Sequence, residues 1–118
     1  MNIHQPSPEG SYEKVDPYEM ANLYPRETGL PMTVWAGPKA GARHDVRVKV
    51  CRSHGNRMDV EGLASVSVRP TPKLVVGSLS NEDLKAVQAW IKLNSQALIG
   101  YWDGDLGTVE FVQALKKV

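Results

Sequence analysis

Two stretches in the middle of the chain alternate strictly between apolar and polar residues, and this pattern restricts the possible folds more than any other feature. In residues 45–51, valines at every second position are separated by Arg47 and Lys49, and residues 63–69 repeat the alternation. Because successive side chains of a strand point to opposite faces of a sheet, each stretch is typical of a strand with one buried and one solvated face. The polar segment between them contains Gly55-Asn56, a turn signal, which predicts an antiparallel hairpin.

Two more strands are predicted on either side of this hairpin. Residues 32–36, which are apolar except for Thr33, lie before it, and residues 73–79 lie after it. Pro70 and Pro72 precede the later strand, and a proline cannot donate a hydrogen bond to a sheet ladder. We therefore expect residues 73–79 to form an edge strand.

The clearest helix start lies at Ser80, whose hydroxyl can accept hydrogen bonds from the free amides of the first turn. Acidic residues follow it, where the positive end of the helix dipole favours them. Apolar residues at helical spacing share one face as far as Trp102, provided that the helix runs unbroken through Asn94 and Ser95, and we expect one long helix. A short helix over residues 108–117 is expected to bury Phe111, Val112, Leu115 and Val118. The sequence therefore predicts an α+β domain, with a small, mostly antiparallel sheet of three or four strands packed on one long helix, plus a short C-terminal helix.

Residues 1–31 differ in composition from the rest and are predicted to form an extended, partly disordered arm, with residues 32–118 as the single domain. The arm holds five of the eight prolines, which break any longer helix. It carries two basic and five acidic residues, whereas residues 31–75 carry eight basic and three acidic ones. These opposite charges suggest that the arm lies against the basic part of the domain, although exposed ion pairs contribute little each.

The overall composition indicates a globular protein of a reducing compartment. Hydrophobic residues make up 42% of the 118 residues, and the single cysteine, Cys51, excludes an intrachain disulfide. The first fifteen residues lack the apolar run of a signal peptide, and no apolar stretch approaches the roughly 20 residues that cross a bilayer. We therefore expect a cytoplasmic protein that does not engage a membrane.

The polar side of the predicted hairpin is the first candidate site. Arg47, Lys49 and Arg69 would share this face with Ser65 and Ser67. Cationic and hydroxyl groups in this arrangement suit the phosphates of nucleic acid or of another polyanion. They would equally suit an acidic protein segment, or simply face water. The predicted face lacks the exposed aromatic residues on which single-stranded nucleic acids usually stack.

The hairpin loop is the second candidate, because it gathers His54, Arg57 and Asp59. These residue types could serve an enzyme. Cys51 and His54 are spaced like half of a zinc site, but a second ligand pair is lacking. We therefore expect no catalytic residue, no metal and no cofactor, and keep an enzyme only as an alternative.

The third candidate is the side of the long helix opposite the core. Four apolar or small residues share it: Ala86, Ala89, Leu93 and Ala97. A helix facing water usually spreads charge over half its circumference, so this side is expected to be covered. The C-terminal helix, the arm or a second copy in a two-fold dimer could cover it, or it could remain exposed.

Part of the chain resembles a family of small bacterial proteins defined by a domain of unknown function. The resemblance covers residues 32–118. It rests on Arg47-Val48-Lys49, on the Leu-Val-Val-Gly-Ser-Leu segment, on W-I-x-L-N from Trp90 to Asn94, and on A-L-I-x-Y-W from Ala97 to Trp102. Some members are encoded in two-gene cassettes likened to toxin–antitoxin modules. The chain departs at Ala42-Arg43-His44-Asp45, where the family carries a proline- and histidine-rich strand entry. The resemblance implies a bacterial source and the same fold, and it implies no site.

These observations favour a small, non-catalytic interaction or regulatory module. Its partner would be another protein or a second copy of the chain. The alternatives are a binder of nucleic acid or polyanions through the basic sheet face and an enzyme that uses loop 52–62.

Overall fold

The computed structural model describes residues 20–59 and 61–118, which form an α+β domain. Nine elements follow one another in this part of the chain: β1 (Ala21–Leu23), α1 (Pro25–Thr28), β2 (Met32–Ala36), β3 (Arg47–His54), β4 (Ala64–Ser67), β5 (Leu74–Val76), α2 (Asn81–Leu93), α3 (Ser95–Asp103) and α4 (Thr108–Ala114). The α+β class predicted from the sequence is confirmed. No helix formed by the described residues is long and apolar enough to cross a membrane.

The five strands form one antiparallel sheet in which chain order and spatial order are the same, β1-β2-β3-β4-β5. The predicted hairpin is β3–β4, with Val48 opposite Val66 and Lys49 opposite Ser65. The register also aligns one residue of each strand in a row across the sheet. This row runs through Asn22, Trp35, Lys49, Ser65 and Val76.

The core lies between one face of the sheet and the helices. Alternate valines of β3 and β4, such as Val48 and Val66, are fully buried there. They share one hydrophobic cluster with Trp90 and Ile91 of α2 and with Leu98 of α3. The period-two pattern therefore predicted correctly which hairpin residues face the core.

The sheet has one strand more than predicted, because β1 lies inside the segment assigned to the arm. Ala21 and Leu23 are buried in the core, so residues 20–31 belong to the domain. Pro25 does not interrupt an element, since it takes the first position of α1, where a missing N–H costs nothing. Residues 1–19 of the predicted arm lie outside the described residues.

The long helix is also not continuous, since it breaks at Asn94 between α2 and α3. Its start at Ser80 is as predicted, with Ser80 Oγ accepting from the Asp83 N–H at 3.1 Å. At the break, the buried Asn94 amide donates through Nδ2 to the carbonyls of Trp90 at 2.9 Å and Lys116 at 3.0 Å. The Lys116 N–H donates back to Asn94 Oδ1 at 2.8 Å. A tertiary contact with the C-terminal segment therefore ends α2, and no helix-breaking residue signals it.

The C-terminal helix α4 is shorter than predicted and packs on α3, where the Phe111 and Tyr101 rings stack with centroids 4.4 Å apart. Phe111 is buried and Leu115 half-buried, as expected. Val112 and Val118 are exposed, contrary to prediction. Helix α4 ends at Ala114, so Val118 lies beyond it, in an extended segment whose N–H donates to the Thr28 carbonyl.

Candidate functional site

The side of the sheet opposite the core is buried at its centre, although its sequence suggested a solvated face. We call it the second face; its central residues are Trp35, Arg47, Lys49, Cys51, Ser65 and Ser67. Trp35 is 0% exposed and Lys49 only 6%, and Cys51 and Ser65 are also buried. The prediction that Lys49 points to water is therefore wrong, even though its strand register is right. Alternation tells which residues share a face, but it cannot tell whether something covers that face.

Lys49 lies in a polar environment at the centre of the second face. Its ammonium donates to Ser65 Oγ at 3.3 Å, and Trp35 is its neighbour on the adjacent strand. Half-buried Arg47 lies two residues earlier, opposite Ser67. Ser67 Oγ accepts from the Lys73 N–H and donates to the Thr71 carbonyl, so this hydroxyl shapes the β4–β5 turn. Burying an ammonium is costly unless acceptors and an opposite charge surround it.

Arg69 does not join Arg47 and Lys49 in a common site. Its guanidinium forms a two-pronged ion pair with Asp45, with both N–O distances 2.9 Å. The hydrogen bonds from Arg69 lower the pKa of Asp45 to about 2, and Asp45 in turn raises the pKa of Arg69. The predicted basic trio is thus divided between a covered face and an exposed ion pair.

Two polar atoms near Lys49 are buried without a hydrogen bond from the described part of the chain. They are Nε1 of the Trp35 indole and Oδ1 of Asn22, and these two residues are paired across β1 and β2. Buried polar groups in folded proteins are nearly always hydrogen-bonded. The donor and the acceptor are therefore two exceptions to the usual pairing of buried polar groups. Sequence reasoning missed Trp35 as a member, although it alternates with Val34 and Ala36.

The loop between β3 and β4 covers one end of the second face. The Thr33 hydroxyl donates to the Gly55 carbonyl at 3.2 Å, and Cys51 Sγ lies 3.9 Å from the Asp59 carbonyl oxygen. The Tyr24 hydroxyl donates to Met58 Sδ at 3.1 Å. Cys51 is therefore a small buried residue beneath the loop, and this cover does not explain the burial of the row through Lys49.

The predicted loop cluster does not converge on one point. His54 Nε2 lies 3.0 Å from both carboxylate oxygens of Asp83, at the start of α2. Arg57 pairs instead with Asp59 at 3.2 Å, and Ser53 also donates to that carboxylate. The side chains of His54, Arg57 and Asp59 are all more than half exposed. Across residues 20–59 and 61–118, no three His, Cys, Asp or Glu side chains are placed to hold a metal ion.

The third candidate surface is open in part. Ala86 and Ala97 are half-buried, but Ala89 is exposed and Leu93 is 45% exposed. The C-terminal helix therefore does not cover Leu93. Helix α4 adds exposed Val109 and Val112, and the Asn94–Lys116 hydrogen bonds hold the end of α2 beside the segment that follows α4. We call the exposed apolar group the helical patch; it consists of Ala89, Leu93, Val109 and Val112.

Lysines surround the helical patch. Lys85 and Lys92 lie on the same side of α2 as Ala89 and Leu93, within about 100° of helix circumference. Lys116 and Lys117 follow α4, and all four lysines are exposed. The acidic residue of α4, Glu110, is engaged at the helix start, where its Oε1 accepts from the Gly107 N–H at 2.8 Å. We call these four lysines the basic rim; exposed Glu82 also lies on this side of α2, one turn before Lys85.

Comparison with known proteins adds no further assignment. No protein-family model, no curated protein and no solved structure matches this chain. The resemblance to the bacterial family therefore remains a hypothesis that rests on the residues named above.

Proposed function

We propose that this chain is a small non-catalytic interaction module whose helical patch binds an acidic segment of another protein. The observation that carries the proposal is Leu93, a large apolar side chain that is 45% exposed beside two lysines of the same helix. The proposal keeps the predicted function class and uses part of the third candidate surface, Ala89 and Leu93, rather than the basic sheet face.

The apolar centre of the patch supplies the contact area. Val109 on α4 is 69% exposed, and Val112 lies one turn later on the same helix. Single exposed apolar residues are common, whereas a contiguous group of them is typical of interaction surfaces. Ala89 adds a small side chain, which lets a partner backbone approach α2 closely.

The basic rim identifies the chemistry of the partner. In a two-fold dimer through this patch, Lys85 and Lys92 of one copy would face lysines of the other. Like charges across an interface oppose association, whereas carboxylates of a partner would be attracted. An acidic, partly apolar segment of a different protein therefore fits better than a second copy.

The alternatives have less support. A polyanion would need access to Lys49, which is buried, and to Arg69, which Asp45 already occupies. An enzyme that used loop 52–62 would need the polar side chains of this loop to converge on one point. His54 and Arg57 instead pair with different carboxylates.

Photo-crosslinking in cells that naturally express the chain would test the proposal. A photoreactive amino acid replaces Leu93 in one variant and Val75 in a matched control, because Val75 on β5 is 49% exposed but belongs to the sheet edge. We expect position 93 to give one dominant adduct whose crosslinked segment is acidic, and we expect Lys92→Glu in the same chain to abolish it. A homodimer adduct, or equal adducts at both positions, would overturn the proposal.

A further inference from the structure

We propose that Met58 is a site of reversible oxidation, at which a peroxide converts the thioether to a sulfoxide and thereby releases the β3–β4 loop. This inference is independent of the proposed function, because Met58 lies on the loop that covers one end of the second face and not on the helical patch. Three observations support it: the exposure of the side chain, the hydrogen bond that its sulfur accepts, and the small number of other contacts that hold the loop.

Met58 is the most accessible methionine of the described residues. It is 39% exposed, whereas Met20 is half-buried and Met32 is 0% exposed. An oxidant has to reach the sulfur, and the product replaces a flexible apolar side chain by a polar one. A peroxide should therefore modify Met58 first and leave Met32 intact.

The oxidation is a two-electron transfer of one oxygen atom. A lone pair of Met58 Sδ attacks one oxygen of hydrogen peroxide, and the O–O bond breaks. The sulfur is oxidised to the sulfoxide and the peroxide is reduced. The transferred oxygen then gives its proton to the departing hydroxide, which leaves as water.

The sulfoxide is incompatible with the hydrogen bond that the sulfur now accepts. The Tyr24 hydroxyl donates to Met58 Sδ at 3.1 Å. An oxygen atom between them does not fit, because a hydroxyl-to-oxygen hydrogen bond alone takes about 2.7 Å. An oxygen on the other side withdraws electrons from the sulfur, which is a weak acceptor even as a thioether. In either case the bond between Tyr24 and Sδ is lost.

Tyr24 is held in place, so the loop is the part that moves. The Tyr24 carbonyl accepts from the Glu27 N–H at 2.8 Å, and the Tyr24 N–H donates to the Glu27 carboxylate at 2.8 Å. The Arg26 guanidinium also lies over the Tyr24 ring, 5.0 Å from its centroid. Loss of the bond therefore displaces Met58 and not the start of α1.

Residues 56–59 depend on Tyr24 for their position. The preceding residue is fixed independently, since the Gly55 N–H donates to the Pro31 carbonyl at 2.8 Å. In the described part of the chain, the Tyr24 hydroxyl is the one group outside the hairpin that hydrogen-bonds to residues 56–59. We call the bond between Tyr24 and Met58 the loop latch.

Cys51 reports whether the loop latch is closed. Its side chain is buried, and the Asp59 carbonyl oxygen lies 3.9 Å from its Sγ. A reagent reaches a buried thiol only when the covering segment opens, so the rate of reaction follows the opening equilibrium. Loss of one hydrogen bond shifts such an equilibrium by about two- to tenfold.

Peroxide treatment of the unmodified full chain tests both steps. Peptide mapping should show one added oxygen on Met58 severalfold faster than on Met20, with Met32 unmodified. Cys51 should then react with an aromatic disulfide about two- to tenfold faster, and methionine sulfoxide reductases should restore the original rate. Equal oxidation of Met58 and Met32, or an unchanged Cys51 rate in the oxidised chain, would overturn the proposal.

Two variants separate the loop latch from general oxidative damage. Tyr24→Phe removes the hydroxyl and keeps the ring, so Cys51 should react about two- to tenfold faster before any peroxide is added, and no faster afterwards. Met20→Leu is the matched control and should behave like the unmodified chain before and after treatment. A Cys51 rate that Tyr24→Phe leaves unchanged, or that peroxide raises further in this variant, would contradict the proposal. If Tyr24→Phe fails to fold, the rates in the unmodified chain still decide.

Discussion

Lys49 shows what alternation along a strand can and cannot predict. The pattern placed Val48 and Val50 in the core and Lys49 on the other side of the sheet, and the structure agrees. Whether that other side meets water depends on which chain segments lie over it. The covering of a face depends on the tertiary structure, and the alternation of residues along one strand does not predict it. The same limit explains why Trp35 was not recognised as a neighbour of Lys49.

Charge reversal should therefore have very different effects at two lysines. We expect Lys49→Glu to lower the free energy of unfolding by about 3–5 kcal/mol, because it disrupts a buried charged group and its partners. Lys73→Glu, at an exposed position in the β4–β5 turn, should change it by no more than about 0.5 kcal/mol. Urea unfolding followed by circular dichroism measures both. Equal, small changes would mean that Lys49 is solvated.

Asp45 gives a prediction about pH. The Arg69 guanidinium holds the pKa of Asp45 at about 2, below its ordinary value of 3.8. A depressed pKa means that the ionised pair stabilises the fold above about pH 4, and that this contribution is lost as the pH falls through about 2. Because both side chains are largely exposed, solvent screens the pair and the contribution should be small.

Titration of the Asp45 carboxyl carbon by nuclear magnetic resonance measures this pKa directly. Arg69→Gln removes the charge and should return the pKa towards its ordinary value. Arg57→Gln removes a guanidinium that pairs with Asp59 instead, so it is a matched control and should leave the Asp45 titration unchanged. An Asp45 midpoint near 4 in the unaltered chain would refute the ion pair.

At the scale of elements, local signals predicted how most strands and helices begin, and tertiary contacts decided where they end. The Ser80 cap is a local signal and was read correctly. The break at Asn94 was not readable, because its cause is a contact with Lys116, 22 residues away. Strand β1 was missed for a related reason. Three residues between prolines have no strand signature of their own, and β1 exists because β2 offers it a partner.

Asn94 should therefore contribute more to stability than its polar neighbours. Asn94→Ala leaves the Lys116 N–H and carbonyl without their amide partner, and we expect a loss of about 1–3 kcal/mol in the free energy of unfolding. Gln96→Ala, an exposed position in the next helical turn, should change it by no more than about 0.5 kcal/mol. Amide hydrogen exchange would localise the effect. Residues 115–118 should lose protection in Asn94→Ala, and unchanged protection there would contradict this role.

For the whole molecule, the class of fold followed from the sequence, whereas the accessibility of the candidate surfaces did not. The basic face looked accessible because charged residues usually face water, and it proved to be the second buried side of the sheet. The sequence singled out Leu93 as the residue whose exposure decides whether a second element covers this side of α2. Its 45% exposure makes the helical patch an open surface, whereas the centre of the sheet is covered on both sides and only the β5 edge, with Val75 and Val76, is exposed.

Hydroxyl-radical footprinting of the unmodified full chain tests this arrangement most directly, because it reports both surfaces in one measurement. The rate of modification of each residue is compared between the native chain and the chain unfolded in urea. We expect Trp35 to be strongly protected in the native chain, at least tenfold, while Leu93, Val109 and Val112 are modified at nearly their unfolded rates. Rapid modification of Trp35 together with protection of Leu93 would contradict the account, since the sheet would then be the open surface and the helices the covered one.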